Sequence, residues 1–300
     1  MGIWGLEDKI SSFFSTEITH RRILLALALL ALIVWLIVLT WPDHKLHLYF
    51  LDVGQGDSIF IRTPGNYKIL VDGGPDNSVL EQLSGILPFY DRQIDLMILT
   101  HPHADHVTGL SAVLERYRVD KVVYNPVPYS SSEYQRFKDQ VEGLEIERSM
   151  FTRGQKIELT DGVSLTCFWP LKQETFMELE DVNKASMVIR LDYSDFSSLL
   201  TADAEFGEIP QLDNWLWKPV AVLKVPHQGS RGAVTERALS SLRPKLAVIS
   251  VGENKFGHPV NTEISKLEAA GAKVLRTDQN GTIEVVSDGE RWYYRSEKWR

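Results

Sequence analysis

Residues 100–109 read Thr-His-Pro-His-Ala-Asp-His-Val-Thr-Gly, and this run constrains the chain more than any other. Three imidazoles and a carboxylate fall between His101 and His106, directly after the apolar run 94–100. Such a run has the character of a strand buried on both faces. Loops at the C-terminal ends of buried strands are where α/β proteins place their chemistry. Packing does not account for the cluster: protonated rings repel one another, and buried polar groups without partners cost roughly 2–7 kcal/mol each. Neutral imidazole and carboxylate are standard donors to zinc and similar divalent ions. The alternating pair His101 and His103 can address one metal, and Asp105 with His106 a second, about 3.5–4 Å away.

The surrounding sequence predicts the scaffold. Strands are expected at 46–51, 57–62 and 67–71, the last two joined through Pro64-Gly-Asn66 as a hairpin, then at 94–100 and 121–124. Helical spacing appears at 79–87, 109–117 and 133–141. The second half repeats the grammar without the sequence. Its strands are expected at 163–169, 187–192, 197–201, 220–225, 246–251, 273–276, 281–286 and 292–296, and its helices at 236–242 and 262–270. Two mixed sheets packed together with helices on their outer faces fit this order. The single cysteine, Cys167, excludes an intrachain disulfide and a thiolate-rich metal cluster, and reads as a small core residue.

The N-terminus has a different character. Residues 23–39 are entirely apolar and Thr40 and Trp41 extend them, close to the roughly 20 residues that cross a bilayer. The exit sequence Val38-Leu-Thr-Trp-Pro-Asp43 is a poor cleavage site, which favours an uncleaved anchor over a signal peptide. Arg21, Arg22 and Lys9 on one side against Lys45 on the other leave the N-terminus in the cytoplasm and send the large domain outside. The expected organisation is a cytoplasmic segment 1–22, a single-pass anchor 23–41 in the cell membrane, and an extracytoplasmic domain 45–300. Ile3, Trp4, Leu6, Ile10, Phe13 and Phe14 also allow a short amphipathic helix in the first twenty residues.

His-x-His-x-Asp-His resembles the signature of the metallo-β-lactamase superfamily. The resemblance extends over nearly all of 46–297 and is most specific to the hydrolase domain of ComEC-type competence proteins. It is carried by Phe50-Leu-Asp-Val-Gly-Gln-Gly-Asp-Ser58, Ile69-Leu-Val-Asp-Gly-Gly74, Leu199-Leu-Thr-Ala-Asp203, Leu223-Lys-Val-Pro-His-Gln-Gly-Ser230 and Phe256-Gly-His-Pro259. In that family the domain is fused to a channel for DNA uptake, whereas a single anchor precedes it here. The resemblance implies an α/β four-layer αββα sandwich, preceded by one transmembrane helix, and two divalent metal ions, zinc or manganese. It implies metal ligands His101, His103, Asp105, His106, Asp203 and His227, with Asp203 bridging. Asp105 is implied as orienting the nucleophile and His258 as contacting the leaving group. Asp72 is implied as supporting the metal loop by hydrogen bonds. Asp52 and Asp57 are implied to stand behind the ligands, in a loop that approaches the site in relatives, where Gly54 and Gly56 would permit a tight turn. Lys224 reads either as a cation for an anionic group or as an ordinary strand lysine.

Two departures bear on activity. No histidine lies between His106 and His227, where many superfamily members have a ligand; Asp181-Val-Asn-Lys-Ala-Ser186 occupies that stretch. The first metal then has His101, His103 and Asp203, and manganese becomes credible because it favours oxygen-rich surroundings. Gln228 stands where relatives commonly have a second histidine, and an amide does not exchange protons as imidazole does. Three functions follow: a membrane-anchored dinuclear phosphodiesterase or nuclease, a hydrolase of another envelope ester or amide, and a metal-binding interaction module of reduced activity. The net charge of −8 means that a nucleic-acid substrate must be met by a local basic patch or by the metals.

Overall fold

Side-chain alternation sorts the strands into layers. The computed structural model describes residues 19–35, 43–171, 181–207, 209 and 218–298. In β1 (Leu46–Phe50), Leu46, Leu48 and Phe50 enter one apolar cluster and Tyr49 enters another. The same split recurs in β2 (Ile59–Arg62), where Ile59 and Ile61 oppose Phe60, and in β3 (Lys68–Val71), where Ile69 and Val71 oppose Leu70. Successive strand residues face opposite ways, so a strand apolar at every position is covered on both faces.

The first sheet has the order β15-β14-β1-β2-β3-β4-β5-β6. It includes β4 (Gln93–Leu99), β5 (Arg118–Tyr124), β6 (Glu147–Ser149), β14 (Ile283–Ser287) and β15 (Trp292–Ser296). The second sheet has the order β13-β12-β11-β10-β9-β8-β7. Its members are β7 (Lys156–Glu158), β8 (Val163–Trp169), β9 (Val188–Tyr193), β10 (Phe196–Leu200), β11 (Val222–Lys224), β12 (Leu246–Ile249) and β13 (Lys273–Arg276). Leu48, Ile61, Ile98, Leu165, Ile189 and Val248 are among the residues that join the sheets through one shared core. On the outer face of the first sheet lie α2 (Ser78–Ile86), α3 (Ala104–Arg116) and α4 (Ser132–Gly143), anchored by Leu83, Leu110 and Phe137. On the outer face of the second lie α5 (Glu236–Leu242) and α6 (Asn261–Ala269), through Leu239 and Leu267. The result is two sheets flanked by helices. Cys167 is buried in the shared core.

Parallel pairing positions the site. Strands β3, β4, β5 and β6 run parallel in turn, as do β10, β11, β12 and β13. Their C-terminal ends therefore release loops toward the same edge of each sheet.

Local differences from the sequence expectation have physical causes. The strand expected at 57–62 starts at Ile59, because the Asp57 amide donates to Asp105 O at 3.2 Å and Ser58 Oγ to Asp72 O at 3.0 Å. The helix expected from Gly109 starts at Ala104, so Asp105 and His106 occupy its first turn. Gly109 is then a mid-helix glycine, and its Cα faces the backbone of Gly73, where a Cβ would overlap the Gly73 carbonyl. Strands β6 and β7 were not expected: each is three residues long and rich in charge, too short for a period to register.

The chain divides into two units, Met1–Asp43 and His44–Arg300. In the first unit, residues 19–35 form a helix, α1. Residues 23–35 are apolar throughout, and at 100° per residue a run of that length surrounds the axis, so this stretch of the helix has no polar face; Ile23, Leu24 and Leu25 are 51%, 65% and 70% exposed. No helix among the described residues is long and apolar enough to cross a membrane. The expected anchor 23–41 continues past α1 into residues 36–41, which lie outside the described residues, as does the amphipathic segment up to residue 18.

Candidate metal centre

Four parallel-strand ends supply the candidate ligands and their supports. Asp72 follows β3, His101 to His106 follow β4, Asp203 follows β10 and His227 follows β11. Three ring nitrogens face one oxygen. Nε2 of His106, His227 and His101 lie 3.4, 3.7 and 3.8 Å from Oδ2 of Asp203. His101, His106 and Asp203 are all buried, with one donor atom each within 4.8 Å of the others. His103 stands at the rim, its Nδ1 3.2 Å from Nε2 of His101 and its ring 5.3 Å from that of Tyr129. Asp105 is also at the rim, with Oδ2 3.8 Å from Nε2 of His106.

The opposite ring nitrogens define the tautomers. His106 Nδ1 lies 2.8 Å from Asp72 Oδ2, and His227 Nδ1 lies 2.6 Å from Glu205 Oε1. Each Nδ1 donates its proton to a carboxylate, which turns the Nε2 lone pair toward Asp203. Carboxylate-backed imidazole of this kind is the usual support for a metal ligand. His106 Nε2 is buried with no hydrogen-bond partner. A lone pair aimed at a carboxylate oxygen requires positive charge between them, either a proton on the ring or a metal ion.

The electrostatics express the same demand. Burial works against the charged form of His106, but Asp203, Asp105 and Asp72 outweigh it and push its pKa well above the usual histidine value. Burial opposes the Asp203 carboxylate too, yet His106, His101 and His227 hold its pKa well below the usual range. Burial lowers His101 far below its ordinary value and lowers His103 as well, which keeps both as neutral donors. Burial opposes protonation of His227, and Glu205 and Asp203 overcome it to raise its pKa. The donor set fits divalent metal: His101 and His103 are neutral, Asp203 is ionised, and the positive charge that the carboxylates favour on His106 and His227 is one that a metal at their Nε2 atoms would supply instead.

Asp72 does more than back one histidine. Its Oδ1 accepts from the Thr100 amide at 2.8 Å and its Oδ2 from Thr100 Oγ1 at 2.6 Å, which pins the start of the histidine run. Positive φ occurs at Asp72 (58°), Ala202 (46°), His227 (44°) and Gln228 (48°). Non-glycine residues in this region cost about 1–3 kcal/mol each and gather at functional sites.

Gln228 is 2% exposed and donates through Nε2 to Asp203 Oδ1 at 3.2 Å. Its Oε1 accepts from Gln55 Nε2 at 3.2 Å, and Gln55 Oε1 accepts from the Gly252 amide at 3.1 Å. Two side-chain amides thus form a relay onto Asp203, closer to Oδ1 (3.2 Å) than to Oδ2 (3.5 Å), the oxygen that the histidines face. The residue that departs from the family pattern is part of the scaffold.

Several sequence expectations require correction or addition. Lys224 is fully buried and pairs with Asp57, so it neither faces substrate nor behaves as an ordinary strand lysine. Asp57, expected behind the ligands, is that internal partner; burial raises its pKa to about 6 despite Lys224. Asp52 turns away from the site, with Oδ2 3.5 Å from Lys298 Nζ. His258 sits with its ring 5.5 Å from that of His227, and its Nδ1 is buried without a partner. Glu205 had not been singled out, although a second carboxylate two residues past Asp203 was a usable signal. Gln55, in Gly54-Gln-Gly56, had no such signal. A cleft of about 160 Å³ is lined by Asp181, Asn183, Lys184, Asp203, Glu205 and His227, which places the histidine-free stretch 181–186 beside the ligands.

Comparison with known proteins agrees with this geometry. The Metallo-beta-lactamase superfamily model matches residues 51–253. ComE operon protein 3 of Bacillus subtilis (strain 168) is 30% identical over 257 residues, which cover 78% of this chain and 32% of that protein. Competence protein ComA of Neisseria gonorrhoeae is 27% identical over 252 residues, 81% of this chain and 32% of its own. The chain spans about a third of the length of these curated relatives. Among solved structures, Zn(2+)-bound PqqB from Methylobacterium extorquens has a TM-score of 0.55 at 16% identity, covering 79% of this chain and 99% of that one. The metallo-beta-lactamase fold protein YhfI from Bacillus subtilis has a TM-score of 0.53 at 12% identity, covering 79% and 98%. At such identities the two structures speak for the fold alone. The chain belongs to the metallo-beta-lactamase superfamily and is related over most of its length to competence proteins.

Proposed function

We propose that the chain is a metal-dependent phosphodiesterase acting on nucleic acid, held at the cell membrane by residues 23–41 with its catalytic domain on the outer side. The convergence of three imidazole Nε2 atoms on Asp203 Oδ2, one of them buried and unpartnered, carries the hydrolytic reading. The likeness to competence proteins supports the phosphodiester. In this reading His101, His103 and Asp203 would hold one divalent ion, and Asp105, His106, Asp203 and His227 would hold a second. Zinc or manganese bound there supplies Lewis acidity and lowers the pKa of water.

The chain's own residues supply orientation. Asp72 and Glu205 hold the tautomers of His106 and His227. The side chain of Asp105, 32% exposed, reaches both His106 and solvent, a suitable place from which to orient a nucleophilic water. His258 stands beside His227 and is half-buried, a place from which its ring would contact the leaving-group oxygen. Gln228 already binds Asp203, so its presence is compatible with a working site and weakens the case for an inert module. The apolar girth of α1 and the flanking Arg21 and Arg22 support the anchor and its orientation.

The test is hydrolysis of bis-p-nitrophenyl phosphate and single-stranded DNA by the detergent-solubilised full chain with zinc or manganese, beside the Asp105→Ala/His106→Ala double variant. Metal-dependent cleavage by the parent, absent from the variant, is expected. A folded, metal-loaded parent that cleaves neither substrate would overturn the reading. For the anchor, the chain should stay in carbonate-washed membranes and leave them when residues 1–41 are deleted.

A further inference from the structure

The loop after β12 carries a ring that neither the fold nor the metal site employs. Phe256 is 68% exposed, and a single exposed apolar residue is ordinary in itself. Its surroundings are not those of a loose loop. Asn254 Oδ1 accepts from the amides of Phe256 at 3.1 Å and His258 at 3.0 Å. Asn254 Nδ2 donates to the carbonyls of Gly252 at 2.9 Å and His258 at 2.8 Å. One side chain therefore makes four backbone hydrogen bonds across residues 252–258. Gly257, at φ +78°, allows the reversal between the two rings. The loop base is held in turn by Gln55 through the Gly252 amide.

The rings form a row leading out of the metal centre. His227 and His258 meet edge-on at 5.5 Å and 76°, and His258 and Phe256 lie 5.8 Å apart at 32°. The first ring backs onto Asp203, the second presents an unpartnered buried Nδ1, and the third faces solvent. Phe89 and Tyr90, also exposed, sit edge-to-face with each other on the turn between α2 and β4 and have no such link to the site. Lys255, next to Phe256, is exposed and supplies a positive charge at the same tip.

From this arrangement we infer that Phe256 is a stacking platform for a nucleobase of the substrate, next to the phosphodiester that reaches the metal centre through His258. Each base has a π-face, so such a platform binds single strands with little sequence preference. Because the four Asn254 hydrogen bonds hold the loop before binding, little ordering entropy remains to be lost. Lys255 meets the backbone of the same strand, the local positive charge that an acidic chain needs. The inference rests on the phosphodiesterase reading for the identity of the ligand, and its test separates the two.

The probe is a trinucleotide containing 2-aminopurine and phosphorothioate links, titrated into the full chain with manganese present and followed by fluorescence quenching. The parent should quench the probe on binding. Phe256→Ala should weaken binding at least about fivefold, and Phe256→Trp should restore it. An abasic trinucleotide should compete poorly against the parent but as well as the base-bearing one against Phe256→Ala. Unchanged affinity in Phe256→Ala, no quenching by the parent, or equal losses for base-bearing and abasic strands would overturn the platform. Bis-p-nitrophenyl phosphate cleavage is read on the same preparations. Phe256-dependent quenching without any cleavage would remove the hydrolytic reading and leave the platform; cleavage with Phe256-independent binding would do the reverse.

Discussion

Replacing Gln228 by alanine should weaken metal binding by one to two orders of magnitude while the fold persists. The side chain is 2% exposed and spends its amide on Asp203 Oδ1 at 3.2 Å and its carbonyl on Gln55 at 3.2 Å. The alanine variant leaves a buried carboxylate oxygen and the Gln55 amide without those partners. A hydrogen bond to a charged acceptor is worth about 1.5–3 kcal/mol. Loss of an outer support typically costs about 10–100-fold in metal affinity, or roughly 1.4–2.8 kcal/mol. The two estimates coincide because they describe one event: Asp203 is freed to rotate Oδ2 away from the three histidines. The assay is competition for zinc against a chromophoric chelator, with the far-ultraviolet circular dichroism of the metal-free protein as the fold control. Gln55→Ala should act in the same direction, and the double variant should lose less than the sum, since both changes break one relay. Affinity within twofold of the parent in a folded Gln228→Ala protein would refute the relay as a positioning device. So would strict additivity of the two variants.

Lys224→Met should cost about 3–5 kcal/mol in chemical denaturation, because it strands Asp57 in the interior; adding Asp57→Asn should recover most of it. Glu284 is held down to about 2: burial opposes its charged form, but hydrogen bonds from His47, Arg295 and Tyr49 prevail. A depressed carboxylate adds stability that is complete above its usual 4.5 and is lost as pH falls toward about 2, an effect of about 3 kcal/mol here. Glu284→Gln should therefore flatten the acid limb of stability against pH in this window, and an unchanged limb would contradict the assignment. Gly109→Ala should destabilise by about 3 kcal/mol, since its Cβ meets the Gly73 backbone, whereas Gly85→Ala in α2, with nothing within 4 Å, should stabilise by about 0.5–1 kcal/mol. Thermal melts of the two variants that shift alike would refute the packing argument.

The parts of the molecule legible in the sequence were those with a short period or a dense motif. Continuous apolar runs such as 94–100 announce strands covered on both faces, and β4 lies there with helices outside and the second sheet inside. The histidine run announces its own chemistry. What could not be read is what depends on pairing between distant segments. Lys224 and Asp57 are 167 positions apart in the chain. Nothing local distinguishes a lysine at the end of a strand from one sealed against a carboxylate. The Gln55–Gln228 relay is invisible for the same reason, and Gln228 read alone suggests a lost function. The onset of α3 was misplaced because Pro102 and the polar run 103–106 suppress apolar periodicity just where the helix begins. The edge strands β6 and β7 went unread because three residues are too few for alternation to register: Glu147-Arg148-Ser149 has none, and Lys156-Ile157-Glu158 has a single apolar position.

The site belongs to neither half of the sandwich. His101, His103, Asp105, His106 and Asp72 hang from the first sheet, and Asp203, Glu205 and His227 from the second. Any sliding of one sheet against the other would move Asp203 Oδ2 relative to the ring nitrogens, and an apolar interface alone resists sliding only weakly, because many registers bury similar area. Directional contacts cross that boundary beneath the ligands. The Lys224–Asp57 pair is one, and Lys224 Nζ also donates to Ala202 O at 3.1 Å, one residue before Asp203. The Gln55–Gln228 hydrogen bond is another, and the Met187 amide to Thr100 O at 3.3 Å a third. A buried ion pair adds little net stability against an apolar replacement of the same shape. Its value here is positional: a lysine that satisfies one carboxylate from the first sheet and one carbonyl from the second has few registers in which both bonds can form. Lys224, Gln228 and Thr100, which align the two sheets, lie within three residues of His227 and His101, so an error in alignment would displace the ligands as well.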